Sequence, residues 1–280
     1  MRLANGKWLH FTILAALLLT GCVGPGRRGV ELVYTYDRAE LLAELQRRCD
    51  SISTIQAKLK MDYEAAGEGA KGCDGILRYQ APDKVRLRGD ADFVGQILDL
   101  ACDGERFWYW FNLEGNAPEE VVTGTVAGLR QGGGSDLDVL LTTLSLNLGE
   151  VLGLVNPSAE KGRTLLAVKT YPDTYVIDLV AVEGDQVRPR RQWAVDRADL
   201  ACRHIEAYGQ GGEVLVVMEL SGHTSAGVGL APLPREVRLR LVSSGATLRF
   251  QLREVKVNEP LKPTLFRLQV PPGARVTTLP

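Results

Sequence analysis

Residues Ile55, Ala57, Leu59, Met61 and Tyr63 alternate strictly with Gln56, Lys58, Lys60, Asp62 and Glu64. A period of two puts the first set on one face of a strand and the second in water, so the segment predicts a half-buried β-strand. Before it, Leu41, Leu42, Leu45 and Cys49 recur at helical spacing behind Asp37, whose carboxylate can accept from the free N–H groups of a first turn. A helix from Asp37 to about Asp50 is expected there. Beyond the strand, Gly67 to Gly75 reads as a loop. Strands then follow in quick succession: "GILRYQ" and "DKVRLRG" either side of Pro82, "GQILDLA", and "RFWYWFN" behind the turn pair Asp103-Gly104. Gly132, Gly133 and Gly134 form a loop that opens a second helical stretch, Asp136 to about Leu154. Its stripe of Leu137, Leu140, Leu141, Leu144, Leu148 and Leu152 is unusually apolar. The remainder returns to strands: "RTLLAVKT", "TYVIDLVAV", "RRQWAVDR", "CRHIEAYG", "EVLVVMELSG", "REVRLRLV" and "TLRFQLREVKV", the last two joined by a hairpin at Ser244-Gly245.

This order of elements, without a repeat or a domain break, predicts a mainly β chain with α insertions. One long antiparallel sheet, strongly curved or partly closed into a barrel, accommodates it. Several strands alternate cleanly, while "LLAV" and "LVVM" are apolar on both faces. One face of such a sheet has to be buried, and two apolar helices are available to cover it. Two outcomes stay open: a filled core beneath the helices, or a cavity under a lid that accepts an apolar ligand.

The pattern at the start of the chain is of another kind. Arg2 and Lys7 make a basic opening, Trp8 to Leu19 is continuously apolar apart from His10 and Thr12, and Thr20-Gly21 offers small residues. This is the layout of a secretory signal. A membrane-spanning helix needs about 20 apolar residues, and this run is shorter. The tetrad Leu19-Thr20-Gly21-Cys22 resembles the lipobox of bacterial lipoprotein signals. That resemblance implies cleavage before Cys22, a diacylglycerol on its thiol and an N-acyl chain such as palmitate on its amine. The expected organisation is a signal over 1–21, a lipidated N-terminus and Gly/Pro-rich tether over 22–36, and a folded domain over 37–280.

Removing residues 1–21 from 280 leaves 259, enough to bury a large core, and takes two positive charges with it, so the net charge of −1 becomes −3. Such a balance gives no reason to expect nucleic acid as a partner. Cys49, Cys73, Cys102 and Cys202 could pair as two disulfides in an oxidising envelope, in three ways, or serve as small apolar core residues. No metal site is expected: the cysteines lack ligand spacing, and His204 and His223 have no second ligand at metal spacing. The formal G-x-G-x-x-G in "GEGAKG" precedes a strand instead of a helix, which a dinucleotide site does not do. There is no G-x-S-x-G. The aromatics of "RFWYWFN" fall on both faces of their strand, with core packing as the default. Neither an enzyme nor a cofactor beyond the lipid on Cys22 is expected.

Four stretches carry a resemblance to a known family. "LLAELQRRCDSISTIQAKLKMDY", "GILRYQAPDKVRL" and "CDGERFWYWFN" look like the opening of the LolA and LolB family of periplasmic lipoprotein carriers and receptors, and "WAVDRADLACRHIEAYGQGG" resembles its Asp-Arg strand and the following hairpin. The similarity runs from Leu41 to Val257 with loose motifs. It implies an unclosed antiparallel β-barrel with a helical lid over an apolar cavity that holds acyl chains. The cavity candidates are then Ile55, Leu59, Met61, Leu140 and Leu144. In the soluble carrier an arginine before the proline helps hold the lid shut; here Ala81 precedes Pro82. In the anchored receptor an apolar residue protrudes before a glycine; here Phe93 and Val94 precede Gly95 in "DADFVGQ". The resemblance therefore favours an anchored, LolB-like member on the periplasmic face of the outer membrane, Val23 following Cys22. Its implied partners are the outer-membrane bilayer, acylated lipoproteins or lipids, and a periplasmic carrier. An envelope sensor and a structural lipoprotein with a filled core are the alternatives.

Overall fold

Asp37 accepts from the Glu40 backbone N–H at 2.9 Å, and the Glu40 carboxylate accepts from the Asp37 N–H at 3.2 Å. This reciprocal cap starts helix α1 (Arg38–Asp50), which buries Leu41 and Leu45 as the spacing predicts. Behind it, β1 (Thr54–Glu64) buries Ile55, Ala57, Leu59 and Met61 and leaves Lys58 and Lys60 in water. The computed structural model describes residues 35–65, 69–111, 120–131, 136–158 and 164–279. The expected signal, Cys22 and most of the tether lie outside the described residues, as do Gly67 and Glu68 of "GEGAKG" and the loop Gly132–Gly134.

Five strands succeed β1: β2 (Lys71–Gln80), β3 (Lys84–Ala91), β4 (Gly95–Asp103), β5 (Arg106–Phe111) and β6 (Glu120–Thr125). Three helices come next, α2 (Val126–Gln131), α3 (Asp136–Leu146) and α4 (Leu148–Val151). The chain then forms β7 (Thr164–Thr170), β8 (Thr174–Glu183), β9 (Gln186–Asp196), β10 (Cys202–Tyr208), β11 (Val214–Ser221), β12 (Glu236–Leu241) and β13 (Thr247–Val257). A 3-10 turn at Pro263–Phe266 precedes β14 (Arg275–Thr278). All fourteen described strands belong to one sheet, ordered β14-β6-β5-β4-β3-β2-β1-β13-β12-β11-β10-β9-β8-β7. Because β14 and β7 end the series without pairing to each other, the barrel is unclosed. Every pairing is antiparallel except β14 with β6.

Antiparallel alternation places the β1–β2, β3–β4, β8–β9, β10–β11 and β12–β13 connections at one end of the sheet. Helix α1 occupies the other end. Asn258 ties it there, accepting from the Ser53 N–H at 2.8 Å and donating to the Ser51 carbonyl at 2.9 Å. Arg48 of α1 donates to the Asp199 carbonyl at 2.6 Å, and the Tyr36 N–H donates to the Tyr175 hydroxyl at 2.9 Å.

The structure corrects two expectations and adds three elements. Strand β2 begins at Lys71, so the loop ends before Gly72; pairing with Asp62 and Met61 of β1 carries Gly72 and Cys73 into the ladder. Helix Asp136–Leu154 is two helices, interrupted at Asn147 and closed by a turn with Gly153 at φ +80°. Its leucine stripe runs on through the break, so periodicity alone does not reveal it. Strands β6 and β14 and helix α2 have too little alternation to be read from the sequence; β6 pairs with β5, and β14 is added beyond it at the edge. The C-terminal strap crosses the outer face of β3 and β4, buries Phe266 completely, and adds β14 to β6.

That strap explains the aromatic strand. On β5, Phe107 and Tyr109 face inward and stack at 6.4 Å, while Trp110 joins Ala101, Val121 and Leu268 in a second apolar cluster beneath the strap. Under the same strap Arg86 donates to Asp99 at 2.6 Å and to the Arg267 carbonyl at 2.8 Å.

Candidate functional site

Inward residues of β1 to β3 and of β12 and β13 form a continuous apolar wall, and the α3–α4 segment lies over it. Leu59, Leu77 and Leu87, with Val237, Phe250 and Leu252, face Leu144, Leu148, Val151 and Leu152 of the lid. Between them is a gap of about 10 Å³ lined only by these apolar side chains. In that measure a single water needs about 10–15 Å³, whereas pockets for small ligands run to about 300–1,000 Å³. The lid in this arrangement is closed on the wall. Anything larger than a water enters only if α3 and α4 move outward.

Close approach holds the lid down. A Cβ at Gly149 would stand 2.9 Å from the Tyr79 hydroxyl, so glycine lets α4 settle against β2. The Tyr79 hydroxyl donates to the Pro82 carbonyl at 3.0 Å, and burial pushes its pKa up, which keeps it protonated. On the far side of the lid, Arg191 of β9 donates through Nε to Glu150 of α4 at 3.0 Å. This ion pair joins lid to wall. The alternation of β9 puts Arg191 on the same face as buried Trp193. Glu150 is the one charged residue between Asp138 and Glu160, and that isolation was the signal in the sequence for its role.

The five cavity candidates divide. Leu59 and Leu144 line the gap. Met61 lies one pair further along the wall, its Cε crossing Gly75 and Gly89, which face each other on β2 and β3; a Cβ on Gly75 would come within 2.7 Å of it. Ile55 is fully buried nearer α1, and Leu140 is half-buried at the edge of the core. Leu77, Leu87, Val237, Phe250 and Leu252 were missed, although each is an inward position of a strand that was expected.

Phe93 and Val94 occupy the tip of the β3–β4 hairpin. Phe93 is fully exposed, with φ +64°, and Val94 is also exposed. A bulky side chain in the left-handed region is a rarity that local packing does not explain here.

The four described cysteines form no disulfide. Burial, with Asp50 and Glu150 nearby, pushes the Cys49 thiol up to about 11; burial and Asp74, Asp90 and Asp62 do the same for Cys73. Both stay protonated and poorly nucleophilic near neutral pH. His223 lies against Arg203, Nδ1 to Nη1 at 2.6 Å, and burial with that guanidinium holds its pKa below the usual range. His204 and Tyr208 both contact Glu206 on the outer face of β10. Among the described residues no group of three or more His, Cys, Asp and Glu side chains could hold a metal ion.

No protein-family model matches the chain, and no curated protein matches it in sequence. Solved structures do. A LolA superfamily protein from Nitrosomonas europaea superposes with a TM-score of 0.54 at 10% identity, over 84% of this chain and 99% of that one. A DUF1329 family protein from Desulfovibrio piger gives 0.56 at 11%, over 81% and 94%. A domain from Vibrio parahaemolyticus described as an outer membrane lipoprotein-sorting protein gives 0.53 at 10%, over 80% and 93%. At these identities the likeness shows the fold: an open, LolA-like sheet with a short helical cover.

Proposed function

We propose that this chain is a non-enzymatic binder of acyl chains, anchored by lipid at Cys22 to the periplasmic face of the outer membrane. On this reading it takes part in lipoprotein sorting or insertion in the manner of an anchored, LolB-like receptor. The observation that carries the proposal is the gap lined only by apolar side chains between a sheet that does not close and a broken, leucine-rich lid. A lid made of two short helices can leave the wall without unfolding the sheet, and what it then exposes suits hydrocarbon. The fold shared with the lipoprotein-sorting domain from Vibrio parahaemolyticus supports the same reading.

The small size of the closed gap favours a second reading, a structural lipoprotein whose core stays filled. Binding decides between them. The full chain should bind an acyl-chain fluorophore at low-micromolar or weaker affinity, displaceable by unlabelled fatty acid. A folded chain with no displaceable signal would establish the filled core.

The hairpin tip supplies the transfer step of the proposal. Holding Phe93 at positive φ costs about 1–2 kcal/mol relative to glycine. Phe93→Gly should therefore raise the melting temperature by about 2–4 °C or more for a domain of this size. It should also slow delivery of a bound acyl fluorophore to liposomes, because an exposed apolar tip marks an interaction site. Gained stability with unchanged delivery would remove the tip from the mechanism.

A further inference from the structure

Arg191 is a cation on the inner face of an otherwise apolar wall. In the strand register it lies between Leu179 and Ala207, and Trp193 follows two residues on. Its side chain is 14% exposed and that of Glu150 is 15% exposed, so both charges are largely out of water. Nε donates to Glu150 and Nη1 to the Arg190 carbonyl at 2.8 Å, while Nη2 makes no hydrogen bond among the described residues. The indole Nε1–H of Trp193 is buried without a partner, and so is the Ser145 hydroxyl on α3. Unpaired buried donors destabilise a fold, and a buried ion pair contributes little net stability, so packing alone does not account for this group.

The lid connects these donors to the apolar gap. Leu148, Val151 and Leu152 line the gap, and Glu150 in the same short segment covers Arg191. One outward movement frees both an apolar groove and a guanidinium whose carboxylate partner has been withdrawn. We propose that Arg191 is the headgroup site of the cavity: it receives the anionic headgroup of an acyl ligand in place of Glu150. A carboxylate or phosphate monoester matches the planar fork of the guanidinium, and the indole N–H is a further donor on the same face. Glu150 thus acts as a resident mimic of the ligand's charge, and lid closure and ligand binding compete for one cation. This inference rests on the acyl-binding reading above.

The test compares cis-parinarate with its methyl ester, titrated by fluorescence into the full chain. The acid should bind at least about tenfold more tightly, the worth of one charge-assisted hydrogen bond. Arg191→Gln should bring the two within about twofold without weakening the ester, whereas Arg191→Lys retains part of the preference. Glu150→Gln removes the competitor and loosens the lid for any acyl ligand, and should tighten the acid severalfold more than the ester. Competition by oleate and lysophosphatidate alike, lost in Arg191→Gln, supports a site for both headgroup chemistries; competition by oleate alone supports a carboxylate site. Equal binding of acid and ester to the unaltered chain would overturn the headgroup site while leaving acyl binding intact. Binding of neither probe would overturn the acyl-binding reading itself. Should Arg191→Gln not fold, Glu150→Gln decides, and no gain for the acid over the ester overturns the proposal.

Discussion

Cys22→Ser should move the protein from the membrane pellet to the soluble fraction and leave its N-terminal peptide without lipid mass. The thiol is the attachment point that the tetrad Leu19-Thr20-Gly21-Cys22 implies, and serine supplies no thioether. Each buried CH₂ contributes about 0.8 kcal/mol of membrane affinity; one acyl chain binds reversibly, and stable anchoring takes two signals. A diacylglycerol with an N-acyl chain exceeds that requirement, so losing the thiol should change partitioning by orders of magnitude. The melting temperature of the folded part should not follow, because the substitution lies outside 37–280. A membrane-bound Cys22→Ser protein, together with an unmodified native N-terminus, would remove the lipid anchor and with it the receptor-like reading.

Asp99→Ala should destabilise the chain by about 3–5 kcal/mol, the usual cost of leaving one member of a buried ion pair without its partner. Arg86 and Asp99 have side chains only 13% and 7% exposed beneath the C-terminal strap. Burial raises the pKa of Asp99 and lowers that of Arg86, in both cases against the pull of the partner. Both shifts mean that desolvation outweighs attraction. Replacing the pair together, Arg86→Met with Asp99→Leu, should therefore recover most of the loss, an outcome that a strongly favourable pair would not permit. Denaturant unfolding of the two single variants and the double variant measures this directly. The sign of the pH dependence follows from the raised pKa. The folded chain holds the Asp99 proton more readily than the unfolded chain, so this contribution is complete below the ordinary carboxylate pKa. It is lost as pH rises through the folded value, and the double variant should lack that slope.

Asp99 also shows where sequence reading reaches its limit. It occupies an outward position of β4, a place where a charge belongs in water, and only the strap arriving from residues 263–268 buries it. Nothing local to "GQILDLA" reports that distant cover. Trp110 had the same ambiguity, and the same strap resolved it into core packing. The break at Asn147 was hidden because leucines recur on both sides of it. Arg191 and Glu150 are 41 residues apart, and nothing in the sequence pairs them until the fold brings β9 against α4.

Local rules did determine a great deal. The alternation from Ile55 to Tyr63 specified which face of β1 is buried, because successive side chains of a strand must point to opposite sides. Asp37 and Glu40 set the start of α1 through bonds spanning three residues. The family resemblance, and no local rule, pointed to Phe93 and Val94 before Gly95, the pair found at the hairpin tip. The mainly β character of the fold followed from the number and order of such segments, while the unclosed barrel was what the family resemblance implied. What tertiary structure decided was every relation between residues that neighbour in space and not in sequence: the order of fourteen strands, the parallel pairing of β14 with β6, and the closure of the lid to a gap of about 10 Å³. Periodicity reports the face a side chain takes. It carries no information about what will be packed against that face, which depends on the curvature of the whole sheet and on segments that arrive from far along the chain.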